Sequence, residues 1–114
     1  MAKAASIAWL VSGMTGSAIA AGIVADGGTA TSVSTGANGH QTVNIALATG
    51  GVSNNTYSSF NVSKAGADLN NVGINARTIV NQVTSTNPSL IQGAIGVLGP
   101  RANVILANPN GITV

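Results

Sequence analysis

The apolar runs in the second half of this chain are short, and sharp turns separate them. From Ile91 onward, the runs marked by Ile95, Val104 and Ile112 follow one another every 7 to 9 residues. Runs of this length predict short strands, and hence an all-β fold. Two architectures fit the spacing. Hairpins would give a sandwich, whereas a parallel β-helix would use three short strands for each coil.

The best defined turn is Asn108-Pro109-Asn110-Gly111. An asparagine suits the first position of a β-turn, because its side chain can bond the backbone two residues further on. Proline then holds φ near about −65°, the second asparagine tolerates left-handed dihedral angles, and glycine suits the last position. The chain is therefore predicted to change direction sharply between Leu106 and Ile112.

Further upstream, residues 41–47 alternate in polarity. This period of two predicts a half-buried strand with Val43, Ile45 and Leu47 on one face. Residues 52–62 form a second extended run, after a turn. Residues 74–83 fit either a strand or a short helix.

The composition excludes several kinds of function. Charged residues make up 5% of the 114-residue chain, and there is no cysteine. Four scattered cations cannot follow a phosphate backbone, so nucleic-acid binding is not expected. A disulfide framework and a thiolate metal site are impossible, and neither a metal nor another cofactor is expected. The 13 asparagines favour the β-helix, because their side chains can stack at its corners.

The first segment has the features of a signal peptide. Lys3 precedes 22 uncharged residues, and Ala18-Ile19-Ala20 supplies the small residues that signal peptidase requires. We therefore predict a signal-peptide helix at residues 1–20, followed by a flexible start or cap strand at 21–40. A membrane anchor and a buried helix are the alternatives for the first segment.

Two stretches carry a resemblance to a known family. The first is V-S-N-N-T-Y-S-S-F-N-V at residues 52–62, with an asparagine pair at 70–71; the second runs from Gly93 to Ile112 and ends in A-N-P-N-G-I. Together they resemble the N-terminal two-partner-secretion, or haemagglutination-activity, domain of filamentous haemagglutinin-type exoproteins. That family has N-x-(Y/F)-x-x-F-N-V, a paired asparagine, a G-x-(I/L)-x-V strand and an A-N-P-N-G-I turn, in this order.

The match covers residues 41–114, interpreted as the N-terminal part of a two-partner-secretion domain. Where the family often has N-P-N-L, this chain has only N-P-S-L, at residues 87–90. The family's domain is also longer, so the chain is expected to be a fragment or a truncated product. The residues that carry the family motif are Asn54, Tyr57, Phe60, Asn61, Val62, Asn70, Asn71, Asn108, Pro109, Asn110, Gly111 and Ile112.

The resemblance implies the start of a right-handed parallel β-helix with an N-terminal cap. It also implies a secretion-targeting role in a large exoprotein of the adhesin or haemagglutinin type. A partner outer-membrane pore would recognise the domain through periplasmic POTRA modules. The exoprotein would then be secreted across the bacterial outer membrane to the cell surface or extracellular space. Host-cell receptors or glycans are implied as partners of the full-length exoprotein.

Two other functions fit the same β-solenoid. One is a structural surface module without a dedicated transporter. The other is a fragment of a β-helix enzyme, but those enzymes need clustered carboxylates, and 42 residues separate Asp26 from Asp68. We therefore expect no enzymatic activity and no catalytic residue.

Each motif residue has a structural interpretation beside the functional one. Tyr57 and Phe60 could contact the pore, but packing in the core or cap is favoured. The corner at residues 108–111 could also contact the pore, but the interpretation as a purely structural turn is favoured. His40 is expected to be a solvated loop residue, and Arg77 and Arg101 are expected on solvated faces.

Overall fold

The computed structural model describes residues 21–114, so the signal peptide predicted at residues 1–20 lies outside the described residues. Residues 21–114 form strands and turns, and they contain no helix long and apolar enough to cross a membrane. The ten strands are β1 Ile23–Ala25, β2 Ser32–Thr35, β3 Gln41–Asn44, β4 Val52–Phe60, β5 Ala67–Asn70, β6 Thr78–Val83, β7 Ser89–Leu90, β8 Ile95–Leu98, β9 Asn103–Ala107 and β10 Ile112–Thr113.

Strands β3 to β10 wind into stacked coils with three faces. The first face contains β4, β6 and β9, the second contains β3, β5 and β8, and the third contains β7 and β10, always in parallel pairs. On the third face an isolated parallel bridge joins Val62 to Ile91. This arrangement confirms the predicted parallel β-helix and excludes the sandwich of hairpins.

The length of a coil varies from one face to another. Val52 pairs with Thr78, 26 positions further on, whereas Ser89 pairs with Ile112, 23 positions further on. Corners of different length absorb these differences without changing the pairing of the strands. The coils therefore repeat in space without a fixed-length repeat in the sequence.

Two antiparallel strands cap the first coil. β1 pairs with β4 on the first face, with a shift in register between Val24 and Ala25, and β2 pairs with β3 on the second face. Each cap strand satisfies the backbone groups that would otherwise form an open sheet edge. The cap implied by the family resemblance is thus present on two of the three faces.

Burial alternates along most of β4 and throughout β5 and β6. In β6 the inward residues Ile79, Asn81 and Val83 are buried, which settles residues 78–83 as a strand. The apolar core consists of Ile23, Val43, Ile45, Tyr57, Phe60, Val62, Ala67, Leu69, Ala76, Ile79 and Val83.

One expected core residue is misplaced. Leu47, predicted to share a face with Val43 and Ile45, is 78% exposed. Because β3 already ends at Asn44, the alternation of the strand no longer determines which way residue 47 points. That prediction was wrong.

Candidate functional site: the asparagine corners and the buried motif

The predicted motif residues divide into a buried set and an accessible set. Tyr57, Phe60, Val62 and Asn71 are almost completely buried. Asn54, Pro109, Asn110, Gly111 and Ile112 are exposed, whereas Asn61, Asn70 and Asn108 are half-buried. In the folded domain, only the exposed and the half-buried residues, which make up the accessible set, are open to a partner.

Tyr57 and Phe60 pack against each other inside the first coil. Their ring centroids lie 5.0 Å apart and the ring planes meet at 79°, an edge-to-face arrangement. The Tyr57 hydroxyl donates a 2.6 Å hydrogen bond to Oδ1 of Asn81 in the next coil. Burial raises the pKa of this hydroxyl, which keeps it protonated as a donor.

Asn55 and Asn81 form a ladder of two buried amides at paired positions of β4 and β6. Oδ1 of Asn55 accepts hydrogen bonds from the Thr31 hydroxyl (2.7 Å) and the Ala46 amide (2.8 Å). Nδ2 of Asn81 donates to the carbonyl of Ile105 in the third coil, at 3.2 Å. The ladder therefore connects the cap and all three coils.

Neither amide of this ladder is among the predicted motif residues. The predicted residue is Asn54, whose side chain lies on the exposed side of β4, beside the buried Asn55. Counting in steps of two from Tyr57 places Asn55 inward, so the alternation contained the necessary signal.

Asn61 and Val62 join the first coil to the second on the third face. Oδ1 of Asn61 accepts a 2.8 Å hydrogen bond from the Leu90 amide. The Val62 amide donates to the Leu90 carbonyl at 3.0 Å, and the Gln92 amide donates to the Val62 carbonyl at 2.8 Å. These bonds extend the parallel pairing where no continuous strand exists.

The paired asparagines occupy two different environments at the corner between β5 and β6. Oδ1 of Asn71 accepts from the Ala76 amide (2.8 Å), and its Nδ2 donates to the carbonyls of Ala76 (3.0 Å) and Pro100 (2.8 Å). Asn70 instead closes a local turn, since its Oδ1 accepts from the Val72 amide at 3.1 Å. Asn71 thus stabilises its own corner and the corner of the next coil together.

The corner at residues 108–111 stacks on the corner of the preceding coil. Nδ2 of Asn108 donates to the Asn87 carbonyl and to the Ser89 hydroxyl, both at 2.9 Å. Nδ2 of Asn110 donates to the Ser85 carbonyl at 2.7 Å. Both amides therefore bind oxygen atoms that the preceding corner directs at them.

The backbone of this corner has the predicted turn geometry. Oδ1 of Asn108 accepts from the Asn110 amide at 2.9 Å, and the Asn108 carbonyl accepts from the Gly111 amide at 3.1 Å. Gly111 has φ of 109°, which favours glycine. Its carbonyl accepts from the Ser89 amide and so starts the pairing of β10 with β7.

His40 lies in the turn between β2 and β3, as predicted, but its ring is hydrogen-bonded on both nitrogens and is only 33% exposed. Its Nδ1 donates to the Ala65 carbonyl at 2.9 Å, and its Nε2 lies 3.0 Å from Oδ2 of Asp68. The pKa of the imidazole is raised, first by the Ala65 carbonyl and then by Asp68, because both partners favour the protonated ring. The pair connects the turn between β2 and β3 to the start of β5.

Asp26 joins the cap to two coils. Its carboxylate accepts hydrogen bonds from the hydroxyls of Thr56 and Thr84, each at 2.6 Å, and from the Gly28 amide at 2.7 Å. The Thr56 hydroxyl, followed by Thr84 and Gly28, lowers the pKa of this carboxyl. Within residues 21–114, no three histidine or acidic side chains are grouped closely enough to hold a metal ion.

Comparison with known proteins places this arrangement in a family. The family model described as the TPS secretion domain, where TPS stands for two-partner secretion, matches residues 21–114. The crystal structure of a filamentous hemagglutinin secretion domain has a TM-score of 0.71 and 37% sequence identity. It covers 80% of this chain, and the match covers 36% of that chain.

Curated relatives are much longer than this chain. A hemolysin of Serratia marcescens is 37% identical over 130 residues, which cover 96% of this chain and 8% of the relative. The tRNA nuclease CdiA-2 of Burkholderia pseudomallei is 41% identical over 113 residues, which cover 81% of this chain and 4% of the relative. With the family model matched along every described residue and the coiled fold shared with a solved secretion domain, the chain belongs to the TPS secretion domain family.

Proposed function

We propose that this chain is the secretion-targeting domain of a larger exoprotein of the adhesin or haemagglutinin type. In this proposal a partner outer-membrane transporter recognises the domain through periplasmic POTRA modules. The exoprotein then crosses the outer membrane to the cell surface or extracellular space. The observation that carries the proposal is the match of the TPS secretion domain model to residues 21–114.

The two ends of the coiled domain support a directional role in export. The cap strands cover the first coil, whereas the outer edges of β8, β9 and β10 have no partner strand within residues 21–114. Apolar side chains at this end are partly exposed, among them Leu98 (39%), Ile105 (48%) and Ile112 (41%). When the following part of the exoprotein emerges, it can bury these side chains by adding coils. The free energy gained by this burial favours movement of the exoprotein out of the pore.

The low charge of the chain is compatible with passage through a narrow pore. Charged residues make up 5% of the sequence, and each charge that passes carries a desolvation cost. We assign no enzymatic role to this domain, since the carboxylates of Asp26 and Asp68 belong to separate hydrogen-bond networks. Contacts with host-cell receptors are assigned to other regions of the exoprotein.

We propose that the accessible motif residues contribute to recognition by the transporter. Asn54 is exposed on β4, and Pro109 and Asn110 are exposed at a corner of the coil. The buried motif residues, such as Tyr57 and Asn71, would act through the fold instead.

Binding and export of the full chain would test this proposal. The immobilised POTRA region of the cognate transporter should retain the wild-type chain, and export should require the transporter. Asn54→Ala, and separately Asn108→Ala with Asn110→Ala, should reduce binding and export severalfold. Asn38→Ala serves as a matched control, because Asn38 is an exposed asparagine outside the motif and its Oδ1 accepts from the His40 amide in a turn like that of Asn108.

Thermal unfolding of each variant separates recognition from folding. If export falls only in proportion to the melting temperature, the motif residues act through the fold and their proposed contact role is wrong. If the wild-type chain reaches the surface equally well without the transporter, the domain is a structural solenoid module and the proposed function is wrong.

A further inference from the structure

Arg77 and Arg101 line one surface depression of about 260 Å³, together with Ala102 and Asn103. The depression lies at the edge where the first face begins, since Arg77 precedes β6 and Arg101 lies shortly before β9. Three of the four lining residues carry side-chain hydrogen-bond donors.

The backbone of the first coil holds the Arg77 guanidinium in place. The Arg77 amide donates to the Gly51 carbonyl at 2.7 Å, and its Nη2 donates to the Gly50 carbonyl at 3.3 Å. A Cβ atom at Gly51 would lie 2.6 Å from Cζ of Arg77, so the guanidinium lies against this glycine. The position of the charged group is thus set by a close contact as well as by a hydrogen bond.

The coil geometry brings together the two segments that carry the arginines. Thr78 pairs with Asn103, and the Asn103 amide donates to the Arg77 carbonyl at 2.9 Å, which ties the two corners together. Arg77 directly precedes Thr78 and Arg101 lies two positions before Asn103, so the two side chains are offset along the edge and line the same depression. Two like charges at one site repel each other. An anion bound in the depression would reduce this repulsion.

No carboxylate within residues 21–114 supplies that anion. The one ion pair in the described part of the chain joins His40 to Asp68, and Asp26 is held by Thr56 and Thr84. Among residues 21–114, the side chains of Arg101 and Asn103 donate no hydrogen bond to protein. Their donors therefore face the solvent in the depression.

We propose that Arg77, Arg101 and Asn103 form a binding site for a phosphate or sulfate group. A guanidinium group binds two oxygen atoms of such an anion through parallel N–H bonds, and a tetrahedral oxyanion has enough oxygen atoms for two arginines and an amide. This binding activity is separate from recognition by a transporter. The anion could come from a lipid headgroup or from a phosphorylated or sulfated saccharide.

Titration of the full chain with inorganic phosphate at constant ionic strength tests the site. The arginine Nε–Hε signals in ¹⁵N-resolved NMR spectra report on each guanidinium directly. We expect the Arg77 and Arg101 signals to shift along one saturable curve. Arg101→Gln should weaken phosphate binding about tenfold, as expected for the loss of one charge-assisted bond. Lys64→Ala is the matched control and should leave the curve unchanged.

A variant that retains the charge tests the importance of the guanidinium shape. Arg101→Lys should recover part of the affinity but not all of it, because an ammonium group cannot form two parallel bonds. If Lys64→Ala and Arg101→Gln weaken phosphate binding equally, phosphate is attracted by the overall positive charge and not by a defined site, and the proposal is wrong. Shifts that stay linear up to high phosphate concentration would also overturn it.

Competition experiments identify the source of the anion. Dihexanoyl phosphatidic acid below its micellar concentration represents a lipid headgroup, and a sulfated disaccharide represents a glycan. The compound that displaces phosphate at the lower concentration identifies the source. If neither compound displaces phosphate, the site binds only the free ion, and the proposed binding of a lipid or glycan group is wrong.

Discussion

The Tyr57 hydroxyl lies 2.6 Å from Oδ1 of Asn81, and this hydrogen bond joins two coils through the interior of the helix. Both side chains are almost fully buried. A buried acceptor that loses its donor has no water to replace it. The pair should therefore be strongly coupled.

Tyr57→Phe should lower the free energy of unfolding by about 2 kcal/mol, because Asn81 keeps its burial but loses its donor. Urea denaturation of the wild type and the variant measures the change. Asn81→Leu, made in the Tyr57→Phe variant, removes the acceptor that has lost its donor. Leucine is a suitable replacement, because Leu106 occupies the paired position in the third coil. The double variant should be less destabilised than the sum of the single variants. Strict additivity would show that the hydrogen bond contributes nothing.

Asn71→Asp should be far more disruptive than Asn70→Asp. An aspartate at 71 cannot donate to the carbonyls of Ala76 and Pro100, and its charge would be buried. We expect a loss of about 3 kcal/mol for a buried group of this kind. An aspartate at 70 can still accept from the Val72 amide, so its cost should stay below about 1 kcal/mol. Chemical denaturation compares the two, and similar losses would contradict the assigned roles.

The His40–Asp68 pair should make stability depend on pH near neutrality. The pKa of His40 is raised above its ordinary value of 6.5, so folding favours the protonated ring. This contribution is fully present below about pH 6.5 and is lost as the pH rises through the higher pKa of the folded state. Wild-type melting temperatures should therefore decline between pH 6 and pH 8.

His40→Gln is the variant that checks this assignment. A glutamine does not titrate, so the decline of the melting temperature over this range should become smaller. Asp68→Asn should also reduce the decline, because it removes one of the two groups that favour the charged ring. If His40→Gln shows the same pH profile as the wild type, another group causes the decline.

Asp26 should govern part of the acid stability. Its pKa lies below the ordinary value of 3.8, so its contribution is present above that pH and is lost as the pH falls through the lower pKa of the folded state. Asp26→Asn should flatten the loss of stability below pH 4. Thr84→Val should flatten it less, because the Thr56 hydroxyl and the Gly28 amide remain. Acid titration of the circular dichroism signal measures both effects, and an unchanged acid limb in Asp26→Asn would refute the assignment.

The chemistry of neighbouring residues was sufficient to predict several features of the fold. The corner at residues 108–111 was predicted because asparagine, proline and glycine specify their own dihedral angles without help from distant residues. Residues 52–62 were predicted to form an extended run, and β4 occupies most of that segment. The family resemblance extended this to a β-helix, which the pairing of the strands confirms.

The amino-acid sequence by itself determined where the chain extends, where it turns and to which family it belongs. Only the tertiary structure decided that Asn55 lies inside while Asn54 lies outside, that Leu47 is exposed, and that His40 meets Asp68. The physical reason is that burial and pairing depend on the stacking of coils about 26 residues apart, as Val52 and Thr78 show. Corners of unequal length determine how the coils stack. The alternation within a strand and the residue types in a turn therefore do not specify which side chains come into contact.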